Sequence, residues 1–583
     1  MYNFATIRFR KCLSIFCFLL LLLNLKTLKA VQPIGYVVDI YSMFPFSFYF
    51  FLILCYMFSI FLIFNGDKTL GTLILFLNHI EILIIPYMLG YYSMGRADDM
   101  SYIGEYLQIA TSGHFAEWDI YPASHIIGAS ISLLSNLEAH ETSFLISGIF
   151  SLMFIAGMLL FSRQLIKNSC INSIILPSAF ILYTGTYNFL NVPHALFFAM
   201  IPLFLYCFIK YLQSEGKVSA SIIFILLTLI LPITHPFIAF LSIFLFLYHM
   251  VLEKYYKRKQ GLKTISQTSF MVLVFAFAGW FIYNNTLLVK FRRNFQGFIQ
   301  KITVPVYYET TGKLATINLD AAELFKLCTV YYGRYIIPTL FILISVPLLL
   351  KNKLYTKKKA LKNLPYFILL YLVLLFVQMI LLLNPIISHQ SDRITNLNFI
   401  VYAQVPLFAY SLYVLFFQNK NKRNGIIVAG ILTCVWSLSL FGCFDSPNVY
   451  KTNVALTQNE VDGMDWFFKV NEDLSVSVPL SQINRFDDLF NNQKRIPKIK
   501  KLPDHFGYTN NTATFTKINL NPNEETYVII LAMDEFLYQK VPGYSNIGRY
   551  NKNDFLRFRK DISINKIYTS LNIEIFKSKE VLP

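Results

Sequence analysis

Long stretches without a charged side chain recur along this chain. SFYFFLILCYMFSIFLIF (47–64) and YFILLYLVLLFVQMILLL (366–383) are two of them. Each is long enough to cross a ~30 Å hydrocarbon core as a helix rising ~1.5 Å per residue. Buried helices of a water-soluble protein do not repeat this pattern so many times. The elements predicted are therefore transmembrane helices.

The polar interruptions set their direction. EKYYKRKQGLK (253–263), KNKLYTKKKALK (351–362) and QNKNKRN (418–424) are rich in Lys and Arg, which places them on the cytoplasmic side. Spans at 265–284, 331–350, 364–384, 398–417 and 425–443 then alternate, leaving 444–583 outside. Working towards the N-terminus gives spans at 235–251, 218–232, 193–211, 172–189, 141–162, 69–92, 40–64 and 12–30. The expectation is about 13 spans, with the N-terminus inside and the C-terminus outside. The apolar stretch 124–137 carries four serines and is read as an interfacial helix on the outer face. Read as a true span, it would invert everything before it. Arg8, Arg10 and Lys11 precede the apolar stretch 12–25, which suits a signal peptide or a retained first helix. A second span follows almost at once, which favours retention.

The pattern changes after residue 443. TQNEVDGMDWFFKV (457–470) has helical apolar spacing, and 474–480, 526–532 and 566–577 read as strands. The fold class expected is a polytopic all-α membrane domain, 1–443, followed by an extracytoplasmic α/β domain, 444–583. The membrane domain would carry outer loops at 93–140 and 285–330. Asn284 and Asn510 begin NNT sequons on that outer side.

Composition agrees with the pattern: 55% hydrophobic, 14% charged, mean hydropathy +0.50. The net charge of +18 raises nucleic acid as a partner. The basic residues sit in short clusters between apolar runs or in the tail, which is a topology signal, so no nucleic-acid partner is expected. The eight cysteines form no CxxC or Cys/His cluster, and neither a zinc site nor a disulfide framework is indicated.

Candidate chemistry concentrates in GRADDMSYIGEYLQIATSGHFAEWDIYPASHIIGA (95–129). Asp98 and Asp99 stand immediately after the span 69–92, at the water boundary. Carboxylates there can act as a general base or bind a divalent cation; a solvated loop with an ion pair to Arg96 is the plain alternative. HQSDRITN (389–396) puts Arg393 at the outer end of a span, where a guanidinium can grip phosphate oxygens or pair with Asp392. KFRRNF (290–295) interleaves Lys290, Arg292 and Arg293 with Phe291 and Phe295, as an amphipathic stretch on anionic headgroups would. His194 and His235 lie beside prolines and suit structural hydrogen bonds, as do His79 and Glu81 within the span 69–92.

An acidic pair after an early span, then Gly113-His114, then Tyr121-Pro122 and His125, resembles the first outer loop of the GT-C superfamily. These are integral membrane glycosyltransferases that use polyprenyl-phosphate-linked sugars. The closer likeness is to archaeal and bacterial members of oligosaccharyltransferase or mannosyltransferase type. It covers most of the chain in layout but only this loop in motif. The resemblance implies an acidic first-loop residue acting as catalytic base or metal ligand at the outer membrane face, Asp99 first and Asp98 second. It implies substrate-binding roles for Tyr121, His125 and His114, while Arg393, Arg292 and Arg293 are, by their own chemistry, basic groups that suit a donor phosphate. The expected reaction is inverting transfer of a sugar to a glycan, lipid or protein acceptor at the outer membrane face. A divalent cation, magnesium or manganese, is the one cofactor it suggests, with no ligand set. Two departures matter. No Trp-Trp-Asp sequence occurs, since Asp465-Trp466 stands alone, and the loop 184–193 has no carboxylate. Both weigh against protein N-glycosylation. A cell-envelope polysaccharide polymerase or ligase is the alternative. A transporter fits less well, because no internal repeat is visible.

Overall fold

The computed structural model describes residues 6–578 apart from 33–34, 214–217, 261–266, 301–316, 318, 352–362, 384–395, 418–421, 471–474, 480–482, 491–497, 502–505, 507, 509–514, 516–525 and 545–549. Within it, eight helices are long and apolar enough to cross a membrane. They are α1 (Ile7–Ala30), α2 (Phe46–Phe64), α3 (Lys68–Met88), α6 (Ala139–Leu165), α8 (Pro193–Gln213), α13 (Ala321–Lys351), α14 (Leu364–Leu383) and α16 (Lys422–Phe441). Further helices with apolar stretches fill the intervals: α7 (Ser169–Ala179), α9 (Val218–Thr234), α10 (Pro236–Gln260), α11 (Gln267–Tyr283) and α15 (Val401–Leu412). Every predicted span is thus represented by a helix. The outer surfaces of the helices remain apolar, with Leu22, Phe50, Ile222, Leu226, Phe275, Leu372 and Phe376 exposed. Such a surface suits lipid and not water. The chain is a multi-pass membrane protein.

One expectation is corrected at an element boundary, and another holds. The span expected at 172–189 is helical only to Ala179, after which the chain turns through a short 3-10 segment, Gly185–Asn188. Pro177 lies in the last turn of α7 and removes one N–H from its ladder. The stretch 124–137 forms the helix α5 (Pro122–Ser135), 14 residues long and too short for a ~30 Å crossing.

Polar groups inside the bundle tie helices together. His79 Nε2 lies 3.0 Å from Ser151 Oγ, and Asn24 Nδ2 donates to Glu81 Oε2 at 3.4 Å. Arg334 of α13 is fully buried. It donates to the carbonyls of Leu182 and Gly442, each at 3.2 Å, and to Asn396 Oδ1 at 2.6 Å. One guanidinium thereby joins three segments that pass through the bundle.

The C-terminal region carries a five-stranded mixed sheet in the order β4-β3-β5-β7-β6. Its strands are β3 (Ser475–Val478), β4 (Lys498–Lys501), β5 (Tyr527–Leu531), β6 (Ile564–Thr569) and β7 (Ile573–Ser578). β3 runs parallel to β4 and β5, while β7 pairs antiparallel with β5 and β6. The run expected as one strand at 566–577 is therefore the β6–β7 hairpin, turning at Ser570–Asn572. β5 is apolar at every position because both faces are covered. Tyr527, Ile529 and Leu531 join the core shared with the membrane helices, whereas Val528 and Ile530 pack with Phe506, Phe515, Phe555 and Phe558.

Candidate functional site

The site begins where α3 ends. Residues Tyr91–Ser93 form a short strand, β1, paired antiparallel with β2 (Leu456–Thr457). The segment after α3 and the C-terminal region thus share a ribbon. Beside it Arg96 reaches Glu460, with Nη1–Oε1 at 2.8 Å and Nη2–Oε2 at 2.9 Å. Glu460 lies on α17 (Gln458–Val470) and also accepts from the backbone N–H and hydroxyl of Thr457.

The helix α4 (Asp98–Ser112) follows, with Asp98 and Asp99 in its first turn, where negative charge complements the helix dipole. The two carboxylates point differently. Asp99 is buried, and its Oδ1 accepts from the backbone N–H of Asn191 at 2.5 Å. Asp98 is half-buried and meets Arg485 Nη2 at 3.3 Å. Arg485 belongs to α18 (Asn484–Leu489) and also contacts Asp488 at 3.0 Å and Ser101 Oγ at 2.9 Å. The helices come close because residue 104 is glycine: a Cβ there would stand 2.0 Å from the Asp488 carbonyl oxygen.

Further along α4 lies a second acidic group that the sequence reading did not single out. Glu105 is buried, and its Oε2 has no hydrogen-bond partner. Its neighbours are Asp119 and His125, both buried; one donor atom from each of the three residues lies within 4.8 Å of the others. Asp119 is fixed on both sides. Its Oδ1 accepts from the Tyr121 N–H at 2.8 Å, and its Oδ2 lies 2.6 Å from His125 Nδ1. Its carbonyl accepts from Asn284 Nδ2 at 3.0 Å. His125 sits in the first turn of α5 with its ring edge-on to Tyr102, 4.2 Å between centroids. Gly128 lets the Tyr106 ring lie across α5, since a Cβ there would meet that ring at 2.2 Å. Burial pushes the Glu105 carboxyl up to about 7; His125 opposes that rise, and the charges of Asp119 and Asp488 add to it.

The other expected site residues fall in three places. Tyr121 stacks on His235 at 4.7 Å, and His235 meets His194 at 4.0 Å, next to the cluster's turn. His114 is exposed on the turn after α4 and is not part of the cluster. Arg292 and Arg293 are exposed on α12 (Asn285–Ile299), which leaves α11 at a bend of 88°. That helix connects to the site through Asn284, whose Oδ1 accepts from Leu287 N–H while its Nδ2 holds Asp119. The Asn284 side chain is buried and bonded at both ends, so its sequon is not presented at the surface. Arg393 and Asn510 lie outside the described residues. Asp119 sits six residues before His125 and Glu105 seven after Asp98, so α4 puts Asp98 and Glu105 on one face. That helical spacing was the available signal for Glu105. Nothing local marks the pairing of Arg96 with Glu460.

No protein-family model matches the sequence, and no curated protein matches it. Solved structures do resemble it. The Archaeoglobus fulgidus oligosaccharyltransferase, tethered to an acceptor peptide containing the NVT sequon, is 11% identical with a TM-score of 0.42. That match covers 82% of this chain and 72% of that one. The same enzyme in complex with Zn and sulfate is 12% identical, TM-score 0.46, covering 84% of this chain and 71% of that one. ArnT from Cupriavidus metallidurans in the apo state is 9% identical, TM-score 0.42, covering 87% of this chain and 98% of that one. These neighbours are GT-C superfamily membrane glycosyltransferases.

Proposed function

We propose that this protein is a membrane glycosyltransferase that moves a sugar from a polyprenyl-phosphate-linked donor to an acceptor at the outer face of the membrane. The observation that carries the reading is the placement of Asp98 and Asp99. They open a helix directly after a membrane-length helix, with the C-terminal region packed against that opening. A prenyl tail can stay in the bilayer while its phosphate and sugar reach this level. An acceptor from water can approach from the side of the C-terminal domain, 444–583, whose orientation outward belongs to the same proposal.

The transfer would be an in-line displacement at the anomeric carbon. An acceptor hydroxyl loses its proton to a carboxylate as its oxygen bonds to that carbon, and the donor's phosphate leaves with the bonding electrons. Inversion follows from attack opposite the leaving group. Asp98 has solvent contact and is suited to meet the acceptor, held in place by Arg485. Asp99 is turned inward and fixes residues 190–191 against α4, a positioning role that complements the base. Arg393 would steady the departing phosphate, and Tyr121 with His125 would form the wall next to it. The magnesium or manganese ion expected with this reading would be held by carboxylates of the same loop and would neutralise charge at the phosphate.

The test uses Asp98→Asn and Asp99→Asn variants expressed beside wild type in a deletion strain, with surface glycans profiled. Loss of one or more glycans in either variant, at wild-type protein levels, is the expected result. Full restoration of every glycan by both variants would remove the carboxylate mechanism.

A further inference from the structure

We infer that Glu105, Asp119 and His125 form a binding site for one divalent transition-metal cation of the zinc or manganese class. Three observations carry it. The first is convergence: three donor side chains from α4, the turn at Ala116–Asp119 and α5 bring an oxygen, an oxygen and a nitrogen within 4.8 Å of one another. Ligands at ~2.0–2.2 Å from a common zinc stand about 3–3.5 Å apart. Closing on an ion therefore needs a movement of about an ångström, within the reach of side-chain torsions.

The second observation is unspent bonding capacity. Glu105 is 5% exposed and His125 3%, yet Glu105 Oε2 and His125 Nε2 have no hydrogen-bond partner. Orphaned polar atoms this deep are rare in proteins, and a bound ion is one of the ordinary reasons for them. The third is charge. Two buried carboxylates gather with one imidazole, which is paired through Nδ1 with Asp119 at 2.6 Å, and among the described residues neither carboxylate has an ion pair to Lys or Arg. The nearby guanidiniums are committed elsewhere, Arg96 to Glu460 and Arg485 to Asp98 and Asp488. A divalent cation supplies the missing positive charge.

The donor set narrows the choice of ion. Imidazole suits zinc and neighbouring transition metals, and carboxylates suit manganese as well; magnesium prefers oxygen donors throughout. Three protein ligands leave coordination positions open, as a site that also touches substrate requires. Asn284 fixes the Asp119 backbone from outside, so the ligand turn is braced before any ion arrives.

The test needs no sugar donor and so stands apart from the glycosyltransferase reading. The full chain, purified in detergent and stripped with chelator, is dialysed against micromolar zinc, manganese or magnesium chloride, and bound metal is counted by mass spectrometry. Wild type is expected to retain close to one equivalent of zinc or manganese and no magnesium. Glu105→Gln and Asp119→Asn are expected to lose that equivalent, and Asp465→Asn, in the exposed i,i+4 pair with Lys469, to keep it. Wild type retaining neither zinc nor manganese overturns the inference, as does equal retention by the Glu105 and Asp119 variants. Should those variants fail to fold, thermal unfolding of wild type decides: zinc or manganese must raise its melting temperature while magnesium leaves it unchanged. No rise with either metal refutes the site. Metal bound with glycan profiles untouched by Asp98→Asn and Asp99→Asn would leave the cation site standing and the glycosyltransferase reading fallen.

Discussion

Replacing Glu460 with glutamine keeps the side chain's shape and removes its charge. Glu460 has no exposed surface and Arg96 only 10%, so water screens little of the interaction between them. The contacts at 2.8 and 2.9 Å make this a close buried ion pair. Removing one partner of such a pair costs about 3–5 kcal/mol, because the remaining charge stays buried without a counter-ion. Glutamine still offers one oxygen to the Thr457 donors, which offsets about 1 kcal/mol. The net cost to the ribbon of β1 and β2 is about 2–4 kcal/mol. At ~1.4 kcal/mol per factor of ten, its opening equilibrium rises by roughly 30- to 700-fold. Hydrogen exchange followed by mass spectrometry on the full chain measures this, read on peptides covering Tyr91–Ser93 and Leu456–Thr457. Arg96→Met alone should also loosen the ribbon, by stranding the glutamate. The double variant strands neither charge and should exchange more slowly than Glu460→Gln. Exchange in Glu460→Gln within about threefold of wild type would refute this reasoning.

Three further outcomes follow from the packing. Gly104→Ala forces a Cβ against the Asp488 carbonyl at 2.0 Å, overpacking that costs about 1–3 kcal/mol; limited proteolysis should cut near 484–489 several-fold faster. Arg334→Met leaves the Leu182 and Gly442 carbonyls and Asn396 without their donor, and the melting temperature should fall by the equivalent of at least ~2 kcal/mol. Arg334→Lys should not restore it, since one ammonium cannot span the fork. Burial works against the charged Asp561, but hydrogen bonds from the Ser563 side chain and backbone, the Phe515 N–H and the Tyr508 hydroxyl hold its carboxyl below the usual aspartate value. A depressed carboxylate stabilises the folded state above its unfolded pKa, and that contribution is lost as pH falls through the folded value. Asp561→Asn should therefore cost stability at neutral pH, with the deficit shrinking below the ordinary aspartate range in acid-unfolding curves of the two proteins.

The membrane helices were legible because lipid imposes a simple rule, about 20 apolar residues in a row, that a single sequence displays. Boundaries were less so: α7 stops at Ala179 inside an apolar run, and the turn at Ser570–Asn572 hides inside a strand-like run. Asp98, Asp99, Tyr121 and His125 could be read from a local motif. Asp119 could not, because an isolated acid in a polar turn looks solvated until its neighbours are known, and Glu105 showed only its seven-residue spacing from Asp98 on α4. Arg334 escaped notice for a related reason. Its partners are mainly backbone carbonyls, and these have no signature in sequence.

The ribbon joining β1 to β2 also imposes an order in time. Arg96 and Glu460 are 364 residues apart. At ~5–20 residues per second, synthesis takes roughly 20–70 s to cross that interval. For that long the first loop exists without its partner strand or counter-ion, and Asp98 without Arg485. No shorter nascent chain has the bracing that α4 needs. The ribosome completes the clasp only after every membrane-length helix has been made, so a chain truncated before 456 would insert its helices and leave an open, unbraced loop.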